Sequence, residues 1–385
     1  MQVVVAASVC SAMLMGGVPC DRLVHQTART SPMSMHAANT LATDPLAAAR
    51  HAALSADADE ITATYLEINS WLISMGGVTM LLDPILEGPL DFGLPPSLYT
   101  ASKRVLPPQG LVRKLPPIDA IVITQGLDDH AHSQTLAELS RSGCSAPIIA
   151  PPSARQTLEK YFPRSQLTLL KKGERATVRS ATVRSATVRS ATVRSAAPKS
   201  GTEEEGGDGG DGGDGGDGGE RGVELIATSG ALVGPPWQAR ENGYVIRTYS
   251  KACNRRTRER IARERSLYVE PHVEFDPSEL ARYAPIDACI SPISGQSLPG
   301  LELVHGVADV LRLLRVLRPR WLLPMANGEI DASGVTAALV RPVGSEAEFV
   351  RGLRRLTAQG AVDTQLVQLE PARPVRLTEE ASMSR

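Results

Sequence analysis

The run Ile118-Asp119-Ala120-Ile121-Val122-Ile123-Thr124 constrains the fold more than any other stretch. It is almost continuously apolar, as expected of a strand covered on both faces. The chain must therefore build a sheet with further layers on each side. Immediately after it come Gln125-Gly126-Leu127-Asp128-Asp129-His130-Ala131-His132, with two aspartates and two histidines inside five residues. Such side chains bind metal or move protons.

The surrounding pattern extends this frame. Residues 61–84 alternate apolar and polar positions about Gly76-Gly77, which predicts a hairpin. Residues 133–141 predict a helix with Ser133 as N-cap, and 146–152 and 165–174 predict strands. Further strands are expected at 223–230, 243–249, 266–272, 286–293 and 321–325, with amphipathic helices at 304–317 and 344–359. Hairpins mixed with a few helices point to an α+β fold and not to a doubly wound sheet.

Two stretches depart from this pattern. Through Thr43 the only acid is Asp21, among many Ala, Ser, Thr and Met residues. This suits a plastid transit peptide, with the mitochondrion as alternative; a secretory signal would need a basic segment ahead of the first apolar run. The leader is expected to cover residues 1–55. Farther on, ATVRS recurs four times in 176–195, followed by a Gly/Asp tract at 203–220. A period of five matches neither strand nor helix, so residues 175–221 are expected to form a disordered, low-complexity insertion. One domain is then expected over 56–375, with a disordered tail at 376–385.

The formal net charge of -1 gives no general case for nucleic acid or membrane surfaces. Residues 251–265 carry seven basic side chains against two acids, which reads as a solvated loop more readily than as a nucleic-acid site. No apolar run is long enough for a membrane span. The 5 cysteines are scattered without a CxxC pair, as expected of free thiols.

Residues 122–132 resemble the metallo-β-lactamase superfamily, which has Thr-His-x-His-x-Asp-His at this place. The motifs Leu-Leu-Asp-Pro (81–84), Gly-Pro-Pro-Trp (234–237), Glu-Pro-His (270–272) and Pro-Met-Ala-Asn-Gly-Glu (324–329) fall in the expected order. They are most similar to the lactonase-like branch and, within it, to a plant, algal and cyanobacterial group. The resemblance implies a four-layer αββα sandwich, with the site at one edge and a small-molecule substrate.

The departures from the family limit the chemistry. Gln125 and Leu127 stand where two metal-binding histidines belong, and Ala326 or Asn327 replaces another. Five histidines are needed for the ordinary dinuclear site, whereas residues 60–370 contain four: His130, His132, His272 and His305. What the resemblance leaves is one divalent ion, zinc before iron or manganese, held among Asp129, His130, His132, Glu270 and His272. A water on it would have its pKa lowered to about 7. Asp128 and Asp129 are the expected catalytic carboxylates, although either could simply cap the following helix. Gln125, Trp237, Gln296, Asn327 and Glu329 are the expected ligand-binding residues. Two functions stay open: a hydrolase of a small ester, lactone or phosphorylated metabolite, and a metal-free member that binds a ligand or protein partner in the inherited cleft.

Overall fold

Gly76 and Gly77 both take positive φ, 60° and 73°, as a two-residue turn between right-twisted strands requires. They join two strands of the hairpin expected at 61–84, with Met75 paired to Val78. The computed structural model describes residues 44–180, 192–194, 220–233, 237–251 and 264–378. In chain order the first strands are β1 (Ile61–Tyr65), β2 (Trp71–Met75), β3 (Val78–Leu82), β4 (Thr100–Ser102), β5 (Ala120–Val122), β6 (Ile148–Ala150) and β7 (Leu167–Leu169). Then follow β8 (Arg175–Arg179), β9 (Thr192–Arg194), β10 (Glu220–Ser229), β11 (Asn242–Lys251), β12 (Ser266–Val269) and β13 (Ala288–Pro292). The last are β14 (Gly295–Leu298), β15 (Leu301–Val304), β16 (Trp321–Met325), β17 (Asp331–Ser333), β18 (Arg341–Val343), β19 (Gln365–Leu366) and β20 (Pro374–Leu377). The helices are α1 (Ala47–Leu54), α2 (Ser133–Arg141), α3 (Arg155–Leu158), α4 (Pro277–Leu280), α5 (Val307–Leu317) and α6 (Glu346–Ala358).

Two mixed sheets face each other, one ordered β20-β1-β2-β3-β5-β6-β7 and the other β19-β16-β13-β12-β11-β10-β8-β9. The strand alternation explains the layers. Met80, Leu82, Ala120 and Val122 point between the sheets, where they meet Leu225, Ile246, Leu267 and Ile290. Their neighbours Leu81, Ile121 and Ile123 point outward against Leu136 and Leu139 of α2. On the far side Val245, Tyr268, Cys289 and Leu322 are covered by Val310 and Leu314 of α5 and Phe349 and Leu353 of α6. Because both faces of β5 are buried, its sequence has no polar alternation. Each such side chain contributes about 1.5–3 kcal/mol on burial. The α+β reading and the four-layer αββα order both hold.

Three boundaries differ from those expected. Residues 44–54 are part of the domain: Leu46 and Ala49 pack with Leu66 and Leu72, and Arg50 donates to the Lys114 carbonyl at 3.0 Å. The first ATVRS copy is not insertion but β8, antiparallel to β10. Taken singly, five residues suffice for a strand, and Ala176 and Val178 alternate into the core at 0% and 2% exposure. At the other end β20 extends the domain to Leu377 by pairing with β1. The leader through residue 43, the Gly/Asp tract through residue 219 and most of the basic stretch at 251–265 lie outside the described residues.

The sheets also determine where chemistry can occur. β3–β5 and β12–β13–β16 run parallel, so the segments after β3, β5, β12 and β16 all leave at C-terminal strand ends. Those segments carry Asp83, Asp129 and His130, Glu270 and His272, and Asn327 and Glu329 respectively.

Candidate metal centre

Asp83, the first residue after β3, is 1% exposed. Its carboxylate accepts hydrogen bonds from the Thr124 amide at 2.7 Å and the Thr124 hydroxyl at 2.6 Å. The same carboxylate lies 2.9 Å from His130 Nδ1. A carboxylate there makes Nδ1 the protonated nitrogen and leaves the Nε2 lone pair for a partner. Nε2 lies 3.4 Å from Asp129 Oδ2. Asn69 tightens the corner: its Nδ2 donates to the Asp129 carbonyl at 2.9 Å and lies 3.3 Å from His130 Nε2.

His272 enters from the end of β12, with its ring centroid 5.7 Å from that of His130. Asp129, His130 and His272 each offer one ligand atom, and the three atoms lie within 4.8 Å of one another. Among the described residues this is the one group of its kind. Two imidazole nitrogens and one carboxylate oxygen form a donor set suited to catalytic zinc or ferrous iron. Asp129 Oδ1 is buried with no hydrogen-bond partner, a penalty of about 1–3 kcal/mol that a cation or a water would remove. The residues fit a divalent ion.

The electrostatics agree. Burial opposes charge on every group here. Even so, His130 and His272 hold the Asp129 carboxyl below its usual range. His130 is raised to about 10, because Asp129 and Asp83 outweigh its burial. His272 is lowered to about 4 by burial and by its neighbour His130. In the metal-free protein a second proton on His130 would sit at Nε2, between the Asp129 carboxylate and the Asn69 amide. A cation among the three ligands would displace that proton.

The other expected ligands have different roles. His132 is turned away, with Nδ1 2.9 Å from Thr135 Oγ1 and Nε2 3.1 Å from the Pro89 carbonyl. Glu270 stands beside the group and not in it; its Oε2 accepts from the His272 and Glu274 amides at 3.1 and 2.8 Å, holding the turn that presents His272. Its Oε1 is buried without a partner, and burial raises the carboxyl to about 8. Asp128 meets the start of the helix: its Oδ1 accepts from the Ser133 amide at 3.0 Å. Ser133 is therefore the first helical residue and not the N-cap, a position that belongs to His132.

At the positions where the resemblance implied two further histidines, Gln125 is fully buried with neither amide atom bonded, and Leu127 belongs to the apolar core. Glu241 approaches from β11, accepting from Gly126 N at 3.3 Å. This half contains no histidine.

Beside the group lies an open cavity of about 710 Å³, lined among others by Tyr99, Gln296, Asn327 and Glu329. Its lining does not include the three ligands, but two residues connect the places. The charge on Asp129 contributes, after burial, to raising the Tyr99 hydroxyl to about 12. Asn327 donates to the carbonyl of Pro271, next to His272, at 3.4 Å, and accepts from Gln296 at 3.1 Å. Gln296, Asn327 and Glu329, three of the expected ligand-binding residues, thus line one cavity. Gln125 does not line the cavity. Nor does Trp237, which is 86% exposed, while residues 234–236 of its motif lie outside the described residues.

Three participants were missed in the sequence. Asp83 stands in the quoted Leu-Leu-Asp-Pro motif, where a buried acid at a strand end was the available signal. Asn69 and Tyr99 gave none, since both come from loops.

Residues 62–206 match the family described as "Beta-lactamase superfamily domain". The match takes in most of the first sheet and the Asp129–His130 loop but not β12, the strand that leads to His272. Among solved structures, a metallo hydrolase from the archaeon Ignicoccus hospitalis is 15% identical, with 83% of this chain and 99% of that chain covered and a TM-score of 0.47. The diiron beta-hydroxylase CmlA from Streptomyces venezuelae is 13% identical over 83% of this chain and 54% of that one, with a TM-score of 0.46. An isothiocyanate hydrolase from Delia radicum gut bacteria is 14% identical over 82% and 98%, with a TM-score of 0.43. At these identities and scores none of their activities carries over to this chain. Comparison with curated proteins found no match.

Proposed function

We propose that this protein is a metal-dependent hydrolase of a small ester, lactone or phosphorylated metabolite, with one divalent ion held by Asp129, His130 and His272. The observation that carries this reading is the convergence of three ligand atoms within 4.8 Å, backed by Asp83 on the far nitrogen of His130. A divalent ion bound there would supply a Lewis acid and a water ionising near neutral pH. The chain supplies the rest. Asp83 keeps the His130 ring in one tautomer and one orientation. The unpartnered Oδ1 of Asp129 is the atom placed to take a proton from an attacking water. Among the described residues the Tyr99 hydroxyl has no hydrogen-bond partner, and it stays protonated beside Asp129, so it can donate to a developing oxyanion. The acid-poor leader supports import into a plastid as part of the same reading.

The experiment is a hydrolysis assay on the full chain loaded with zinc, manganese or ferrous iron. The substrates are p-nitrophenyl acetate, γ-butyrolactone and p-nitrophenyl phosphate. Turnover of at least one, lost in a folded His130→Ala variant, is the expected result. Metal-loaded protein that turns over none of them would favour the second reading, a binding protein, for which the replacement of two ligands by Gln125 and Leu127 is the supporting observation.

A further inference from the structure

The charge on the cavity wall goes beyond naming a hydrolase. Of the residues lining the 710 Å³ space, Glu67, Glu329 and Glu346 are acidic and Arg104 alone is basic. These four charges are not equally available. The Glu67 carboxylate is taken up by the amides of Arg104, Val105 and Leu106 at 2.9, 3.1 and 2.6 Å. Arg104 is engaged, with its Nε on Asp331 at 3.3 Å and its Nη2 on the Ile330 carbonyl at 3.3 Å. Lys103, next to it, is directed onto the Leu66 carbonyl, and burial lowers its ammonium to about 7 against the opposing pull of Glu67 and Glu87. Glu329 and Glu346 have no ion pair among the described residues. The negative field is felt across the wall: after burial, Glu67 and Glu329 raise the Tyr65 hydroxyl, and Asp129 raises Tyr99. The cavity therefore has two uncommitted carboxylates, no uncommitted cation, and apolar surface from Ile293, Met325 and Leu369 between them.

A phosphate entering such a space meets repulsion with no uncommitted Arg or Lys to cradle it, whereas bound phosphates require several donors or cations. An ammonium group meets Glu329 or Glu346 while its hydrocarbon part covers the apolar wall. We propose that the substrate part filling this cavity carries a cationic amine on an apolar body, which narrows the hydrolase reading to esters and lactones and sets phosphorylated metabolites aside. The proposal builds on the hydrolase reading for what is cleaved, but the binding itself needs no metal. Glu329 and Glu346 are then the residues that set specificity.

The test uses three probes with one body: 4-phenylbutylamine, 4-phenylbutanol and 4-phenylbutyl phosphate. Each is titrated calorimetrically into the full chain, metal-free and zinc-loaded, and into Glu329→Gln, Glu346→Gln and His130→Ala. In the metal-free protein the amine should bind most tightly and the phosphate least. Each Gln variant should weaken the amine about two- to fivefold and leave the alcohol unchanged, the scale of an exposed ion pair. The preference should persist in His130→Ala, so failure of the metal reading and failure of this one are separable. Equal affinity for all three probes, tighter binding of the phosphate to metal-free protein, or an amine affinity unmoved in both Gln variants would overturn the proposal.

Discussion

The carboxylate of Asp83 stands 2.9 Å from Nδ1 of His130, across a sequence separation of 47 residues. That contact decides which nitrogen of the ring faces Asp129 and His272. It ties the end of β3 to the end of β5, so the strand pairing itself sets the ligand geometry.

Asp83→Asn keeps the shape of this contact and removes its charge. Metal affinity should fall 10- to 100-fold, the usual effect of losing a carboxylate behind a ligating histidine. Competition against a chromophoric chelator measures it, and circular dichroism should show an unchanged fold.

Stability of the metal-free protein should depend on pH in a defined direction. Glu270 is raised from 4.5 to about 8, chiefly by burial. A carboxyl raised on folding holds its proton more tightly when folded, so its contribution is complete below about 4.5 and is lost as pH rises to about 8. His130, raised from 6.5 to about 10, acts in the same direction over that later window. His272, lowered from 6.5 to about 4, acts oppositely but only as pH falls below 6.5. Thermal melts should therefore show Tm falling between pH 6.5 and 9, with a smaller fall in Glu270→Gln.

Gly126 sits where the ligand loop crosses α3. A Cβ there would lie 2.7 Å from the Ser153 carbonyl carbon and 2.8 Å from the Ala154 amide nitrogen, both backbone atoms. Gly126→Ala should destabilise the protein by about 1–3 kcal/mol and weaken metal binding by displacing Asp129, since neither neighbour can rotate away. Urea unfolding with a parallel metal titration tests both effects.

Glu67 holds the segment from Arg104 to Leu106 through three backbone amides. Glu67→Ala strands those donors and should cost about 2–4 kcal/mol in denaturant unfolding, whereas Glu67→Gln, which keeps one acceptor, should cost less.

The fold was legible because its signals are local. The doubly buried run at 118–124, the Gly76-Gly77 turn and the alternation on either side determine the layers from within short windows. The site was legible only in part. Asp129, His130 and His272 lie in recognisable motifs, but Asp83 acts through a contact formed by parallel pairing of β3 and β5, which no window of sequence contains. His132 misled because a histidine two positions after a ligand reads as another ligand; the helix start instead turns it toward Thr135 and Pro89. Asp128, from the same stretch, has its Oδ1 on the Ser133 amide and is not one of the three converging ligands. The ATVRS copies show the converse: repetition suggested disorder throughout, although a single copy has the length and alternation of a strand.

The central claim is that Asp129, His130 and His272 hold one divalent ion. Elemental analysis of the purified full chain, after equilibration with zinc and removal of loosely bound metal, tests it most directly. The account predicts one ion per chain, lost in Asp129→Ala and in His272→Ala but retained in His132→Ala. Folded wild-type protein without stoichiometric metal, or an ion that stays in both Asp129→Ala and His272→Ala, would contradict it.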